Sequence, residues 1–301
     1  MNNFFYKIIL ILQSFIKRIF FLLYSVILFF DKIVYFFIKK RFLYWLNEFF
    51  ETSSYTKKKI LGKNIIFFTP NEIIDWRIKT FFTKEPETLE WIDSFKGDNI
   101  VFWDIGANIG LYSIYAALKH QNIEIVSFEP SVNNLRILSR NIFKNNLDKR
   151  IKIFQLPLSE KDNVFSNMNE MEFKEGWSMS TFGETLNFEG GTFKPNHSYQ
   201  LFGTNINYLL DKKILKFPNY IKIDVDGIEH KILKGADNHL NNISLKSLSV
   251  ELNENYFEQF NSVKNLMIKN NFEIKQKKQG NISKSQKFSK TYNYVFNKFQ
   301  I

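Results

Sequence analysis

Two short segments concentrate the residue types that do chemistry. The first is Asp104-Ile105-Gly106-Ala107-Asn108-Ile109-Gly110, a turn between a predicted strand, Ile100–Asp104, and an apolar helix, Leu111–Leu118. Glycines at such a turn let backbone N–H groups approach a ligand, and the helix start beyond it offers oriented donors. A pyrophosphate cradle needs G-x-G-x-x-G, whereas here glycines stand only at 106 and 110, with Asn108 in place of the second. A dinucleotide is therefore disfavoured. Glu129 ends the next predicted strand, 23 residues beyond Gly106, where an acid accepts hydrogen bonds from both ribose hydroxyls. Turn and acid together point to a nucleoside ligand, although the turn by itself is also what an ordinary strand–helix connection carries.

The second segment is Lys222-Ile223-Asp224-Val225-Asp226-Gly227-Ile228-Glu229-His230, which packs three acids and a histidine into seven residues at the end of a strand. Open α/β sheets bind ligands at that edge. Asp224 and Asp226, two apart, project the same way while the chain stays extended. Asp226 or Glu229 would equally suit the first turn of the next helix, and His230 suits a core as well as a site. No His/Asp/Glu set has a diagnostic metal-ligand spacing, so no metal is assigned.

These segments need elements to hold them. Strands at Ile100–Asp104, Ile123–Phe128 and Ile151–Gln155 alternate with helices at Leu111–Leu118 and after Pro130-Ser131. The alternation resumes at Tyr220–Asp224, with a helix from Glu229, a strand at Leu248–Leu252, a helix near Tyr256–Asn270, and strands at Phe272–Ile274 and Tyr292–Phe296. The β-α-β order implies parallel strands, right-handed crossovers and a doubly wound α/β sheet. Residues 160–200 lose periodicity and read as irregular or hairpin structure near the site, and Lys275–Lys290 as a solvated loop. Upstream, Lys57–Lys59 and Gly62 read as a linker into a strand at Ile65–Phe68, and Asn71 caps a helix through Ile73, Trp76 and Ile78. The chain thus divides into 1–59, 60–97 and 98–301.

The chain has 301 residues, no cysteine and a net charge of +11. Absence of cysteine excludes disulfides, thiolate metal sites and a cysteine nucleophile. Residues 1–59 hold ten basic and three acidic residues, leaving +4 for the remaining 242. The longest uncharged run between Arg18 and Asp31 is 12 residues, against about 20 for a spanning helix. On a helical wheel Lys7, Lys17, Arg18, Asp31, Lys32, Lys39 and Lys40 share one half, opposite Phe4, Ile8, Leu12, Phe15, Ile19, Leu22, Val26, Phe29, Ile33 and Phe37. That is the pattern of an amphipathic, membrane-associated helix lying in an interface, with tilted insertion of 19–38 or packing on a protein surface as alternatives. A cleaved leader fits poorly, so the expected location is the cytoplasmic face of a membrane, held through residues 1–45.

Val101–Gly110, Phe128-Glu129-Pro130-Ser131, Asn141 with Asn145, Ile221–Glu229, Ile232–Ala236 and Val250-Glu251-Leu252, in this order and spacing, resemble the FkbM family of S-adenosylmethionine-dependent methyltransferases over residues 98–275. The resemblance implies a Rossmann-like class I methyltransferase fold, a seven-stranded, mostly parallel sheet with its last strand antiparallel. It places S-adenosyl-L-methionine over Gly106, Ala107, Asn108 and Gly110, its ribose on Glu129 and its aminoacid end near Asp104. Leu156-Pro157-Leu158-Ser159 falls where the family approaches the adenine. It also implies methyl transfer to a hydroxyl, of a small molecule or of a sugar in a glycan or lipid-linked surface polysaccharide precursor. Asp224 is the first candidate for base or orienter, His230 the second and Glu251 the third. Asp226 stands where Glu is commoner, and Asn207 where the family is often acidic, which weakens any transfer of acceptor detail. A nucleic-acid methyltransferase is the rival enzyme reading, and a membrane-anchored, non-catalytic binding protein is the rival outside enzymes. The chain lacks a [D/N/S]-P-P-[Y/F/W] turn and its core is nearly balanced in charge, so no nucleic acid is expected.

Overall fold

The computed structural model describes residues 3–280 and 290–299. The chain forms two compact units, Met1–Tyr55 and Thr56–Ile301.

In the first unit, α1 runs from Asn3 to Ile38 and α2 from Leu43 to Ser53. At 1.5 Å per residue α1 is about 54 Å long, and over Lys7–Ile38 it is long and apolar enough to cross a membrane. Its exposed apolar residues are not confined to one stripe: Phe20, Phe21, Leu22 and Leu23, in successive 100° steps round the helix, all stand out from it. Asp31 is fully buried, although the wheel places it among the cations. Its Oδ2 accepts from Arg41 Nε at 2.6 Å and its Oδ1 from the Leu43 backbone N–H at 3.2 Å. One carboxylate so neutralises an arginine and satisfies a free donor in the first turn of α2.

The second unit begins with a hairpin, β1 (Tyr55–Ile60) and β2 (Lys63–Phe68), so Lys57–Lys59 belong to a strand where the sequence suggested a linker. Three short helices follow: α3 (Glu72–Lys79), α4 (Phe81–Lys84) and α5 (Pro86–Asp93). Asn71 caps α3, its Oδ1 accepting from the N–H groups of Ile73 and Ile74. Then come β3 (Ile100–Ile105), α6 (Leu111–Lys119), β4 (Ile123–Phe128), α7 (Val132–Lys144) and β5 (Ile151–Phe154). A separate antiparallel sheet of β6 (Val164–Glu170), β7 (Ser180–Phe182) and β8 (His197–Gly203) occupies the aperiodic region. After α8 (Ile206–Asp211) the main sheet resumes with β9 (Tyr220–Ile223), α9 (Glu229–Lys234), β10 (Ser247–Asn253), α10 (Phe257–Lys269), β11 (Phe272–Lys278) and β12 (Thr291–Lys298). Residues 275–278 extend β11 rather than opening the expected loop, most of which lies outside the described residues.

The seven-stranded sheet has the order β11-β12-β10-β9-β3-β4-β5. β12 pairs antiparallel with both β10 and β11, while β10, β9, β3, β4 and β5 pair in parallel. The fold is the Rossmann-like, mostly parallel architecture expected. β3 is buried along its whole length, as a central parallel strand covered on both faces must be. Trp103, Val126, Phe128, Ile223, Leu233 and Val250 anchor one core cluster. Strand order reverses between β3 and β9, so the connections leaving their C-terminal ends diverge and open a crevice. Pairing of Ile105 with Ile223 sets the glycine turn directly beside Asp224.

Candidate active site

The crevice beyond β3, β4 and β9 is a cavity of about 240 Å³. Gly106 and Asn108 from the glycine turn, Glu129 from the end of β4, Asp224 and Asp226 after β9 and Glu251 from β10 all line it. Gly106 has φ +82°, and a Cβ there would lie 1.9 Å from the Asp224 carbonyl oxygen. Only glycine lets the ends of β3 and β9 approach so closely.

Glu129 is buried, with Oε2 accepting from the Asn108 N–H at 2.7 Å and Oε1 from the Ser131 N–H at 2.9 Å. Burial pushes its carboxyl up to about 7, with those backbone donors opposing. Each oxygen retains a lone pair for a further donor. Asn108 adopts φ +50°, which asparagine tolerates. Its Oδ1 is buried without a partner, as is Nε1 of Trp177, which lines the same cavity. Phe128, Leu156, Leu158, Met168 and Phe182 supply an apolar side.

At the other end sits a charge cluster. Asp224 Oδ2 accepts from Lys222 Nζ at 2.9 Å, and Lys222 is itself buried. Burial works to raise the Asp224 carboxyl, but Lys222, Lys84 and Arg77 outweigh it and hold it below the usual range. Glu251 goes the other way, pushed well up by burial and by the neighbouring charges of Asp224 and Glu85. Glu85 pairs with Lys84 and accepts from Tyr112 Oη at 2.7 Å. The cavity thus holds two carboxyls pushed in opposite directions, Asp224 down by its cations and Glu251 up by burial and like charge, as unlike environments produce.

Five expected site residues do not line the cavity. Asp104 is fully buried inside β3, where its Oδ2 accepts from Ser113 Oγ at 2.6 Å and ties α6 to the sheet. Ala107 is buried, its N–H donating to the Phe128 carbonyl. Gly110 serves packing: a Cβ there would meet Leu138 Cδ1 at 2.5 Å. Ser159 closes a local turn, its Oγ bonding with the Lys161 N–H and carbonyl. His230 packs edge-on against Tyr256 with Nδ1 unpartnered. A helix advances 100° per residue, and Glu229 is committed inward, accepting from the N–H groups of Val225 and Gly227 and from Gln259 Nε2. His230 thus lies off the cavity, while the other two candidates, Asp224 and Glu251, line it.

One wall escaped the sequence, and a second was foreseen only as the irregular region 160–200 near the site. Trp76, Arg77, Lys84 and Glu85 reach the cavity from α3 to α5. The strap at 174–180 adds Trp177, Ser178, Met179 and Ser180. Its fastenings come from four places. Asn108 Nδ2 and Asn134 Nδ2 both donate to the Trp177 carbonyl at 3.1 Å, Arg77 Nε donates to the Gly176 carbonyl at 2.6 Å, and the Met179 N–H donates to Asp226 Oδ2 at 2.7 Å.

A glycine turn and an acid meeting at the switch point of a doubly wound sheet define a nucleoside-binding domain of the Rossmann-like class. The methyltransferase FkbM domain matches residues 104–276, more than half of the chain. The protein belongs to that family. Methyltransferase sdnD of Sordaria araneosa is 29% identical over 153 residues, which cover 44% of this chain and 59% of that protein, so the match spans less than two-thirds of the relative's length. Similar solved structures include precorrin-6y C5,15-methyltransferase from Geobacter metallireducens GS-15, at 13% identity and TM-score 0.42, covering 72% of this chain and 87% of that one. The ribosomal protein L11 methylase from Lactobacillus delbrueckii subsp. bulgaricus has 11% identity and TM-score 0.43, with 72% and 79% covered. M. capricolum TrmK, in complex with S-adenosyl-homocysteine, has 14% identity and TM-score 0.39, with 70% and 68% covered.

Proposed function

We propose that the protein is an S-adenosylmethionine-dependent O-methyltransferase that acts on a hydroxyl, of a sugar in a glycan or lipid-linked surface polysaccharide precursor. The observation that carries the reading is the convergence of Gly106, Glu129 and Asp224 on one cavity at the switch point of a sheet whose domain belongs to a methyltransferase family. The cavity's residues suit the cofactor. Glu129 has acceptor capacity for ribose hydroxyls, Asn108 Oδ1 and Trp177 Nε1 are buried polar atoms still wanting partners, and Phe128, Leu156 and Leu158 offer a face for a flat base. When bound, the cofactor supplies an electrophilic methyl on a sulfonium. Asp224, held ionised by Lys222 and Lys84, accepts the acceptor's O–H hydrogen bond and aims the oxygen lone pair. A carboxylate held low is a weak base, and it suffices where the hydroxyl proton departs late, after bond formation has made it acidic. Glu251, biased toward its neutral form by burial and by the charges of Asp224 and Glu85, donates to a second oxygen of the acceptor, a pairing that suits a polyol.

The raised Glu129 carboxyl gives a pH test of the cofactor half of this reading. The ionised form is acceptor-only and binds ribose hydroxyls better. Binding of S-adenosylhomocysteine is therefore expected to tighten as pH rises from 6 to 8 through the Glu129 pKa of about 7. Glu129→Gln should bind more weakly at every pH and show a flat profile by calorimetry. A wild-type affinity independent of pH would argue against ribose contact.

The first unit supports a membrane location for the acceptor. Its α1 carries exposed apolar side chains and flanking cations, and α2 exposes Tyr44, Trp45, Phe49 and Phe50, the aromatic type favoured at bilayer interfaces. Full-length protein is expected to sediment with anionic vesicles, and a chain lacking residues 1–54 to stay in the supernatant. Equal partitioning of the two would remove the membrane from the account.

A further inference from the structure

Arg77 enters the cavity from α3, upstream of the residues the FkbM domain matches. Its Nε–H is spent on the Gly176 carbonyl at 2.6 Å, which fixes the guanidinium against the strap. Among the described residues its two terminal nitrogens make no hydrogen bond or ion pair. The neighbouring acids are engaged elsewhere. Asp224 takes Lys222 Nζ, Asp226 takes the Met179 N–H, and Glu85 takes Lys84 and Tyr112. Arg77 nonetheless lies close enough to lower the carboxyls of both Asp224 and Asp226.

A tethered guanidinium with a free edge inside a half-closed cavity is a fork shaped for a planar oxyanion. The described residues supply none, which leaves the fork open to a ligand. On the reading above, the cofactor brings a carboxylate at its aminoacid end, and Asn108 Oδ1, an acceptor buried without a partner in a residue lining the same cavity, is complementary to the adjacent ammonium.

We propose that Arg77 binds the aminoacid carboxylate of S-adenosylmethionine, so that α3 and the strap it anchors complete the cofactor site from outside the family domain. This rests on the methyltransferase reading. An acidic acceptor could offer the same carboxylate, and the test separates the two sources.

The experiment is calorimetry of the full-length protein with S-adenosylhomocysteine and with 5′-methylthioadenosine, which lacks the aminoacid end. Wild type should bind the first more tightly. Arg77→Met removes the strap fastening as well as the fork, so it should weaken S-adenosylhomocysteine binding by about tenfold or more beyond any loss in methylthioadenosine binding, the scale of a lost charge-assisted bond. Arg77→Lys should fall between, since an ammonium restores charge without the fork. Equal weakening of both ligands would make Arg77 a fastening of the strap and overturn the proposal. No weakening of either, with a raised KM for acceptor alone, would overturn it and assign the fork to an acidic acceptor. Failure of wild type to bind either ligand would bring down the methyltransferase reading and this proposal with it.

Discussion

Replacing Asp224 by Asn is expected to lower methyl transfer by roughly 10²–10⁴-fold, the range general-base and orienting groups contribute, while S-adenosylhomocysteine still binds. The amide keeps the shape, and its oxygen still accepts from Lys222 Nζ, so the cavity wall survives. What is lost is the charge that orients the acceptor hydroxyl and receives its proton. Removing it also leaves Lys222, only 2% exposed, with Asp104 and Glu85 as its remaining counter-charges. The variant should accordingly melt lower than wild type, because a buried cation is costly when a partner is withdrawn. Single-turnover transfer, binding and melting measured on one preparation separate these effects. Transfer undiminished in a folded, cofactor-binding Asp224→Asn protein would show that another group handles the proton.

The second large effect is expected at Gly106. Alanine there must adopt φ +82° and place its Cβ 1.9 Å from the Asp224 carbonyl oxygen and 3.1 Å from Val225 Cγ1. Strain and overpacking together predict a loss of about 3 kcal/mol or more, with β3 and β9 forced apart where the site is built. Gly62 is a natural control, since it has φ +80° with nothing within 4 Å. Gly62→Ala should cost about 1–2 kcal/mol, the left-handed penalty alone. Urea unfolding of the two variants isolates the close approach. Equal losses would mean that the turn is not as tight as the packing of β3 on β9 requires.

The sequence made legible what depends on local pattern. Alternation of apolar runs with helical periods specified the parallel strands, because a buried strand must be apolar on both faces. Gly106, Glu129 and Asp224 were legible because each ends its own strand at the sheet edge, and the switch point brings those ends together. The same logic placed Asp104 one residue too far forward: it is still inside β3, where its carboxylate braces Ser113. His230 lies off the cavity for a related reason. Its neighbour Glu229 is drawn inward by the backbone donors of Val225 and Gly227, and the turn of the helix carries His230 away from the cavity. Arg77, Lys84, Glu85 and Trp177 were beyond reach, since their position depends on contacts spanning scores of residues, such as Arg77 with Gly176. Asp31 shows the same limit in the first unit, where Arg41, ten residues on, converts an apparently surface acid into a buried one.

The central proposal is that this protein moves a methyl group from S-adenosylmethionine to a hydroxyl on a membrane-borne glycan. The direct measurement is incubation of purified protein with methyl-labelled cofactor and a total cell extract separated into membrane glycan, protein, RNA and small-molecule fractions. The account predicts label in the glycan or lipid-linked fraction, stable to base as an ether is, and absent with Asp224→Asn. Label in RNA, or no transfer by a protein that binds the cofactor, would contradict it.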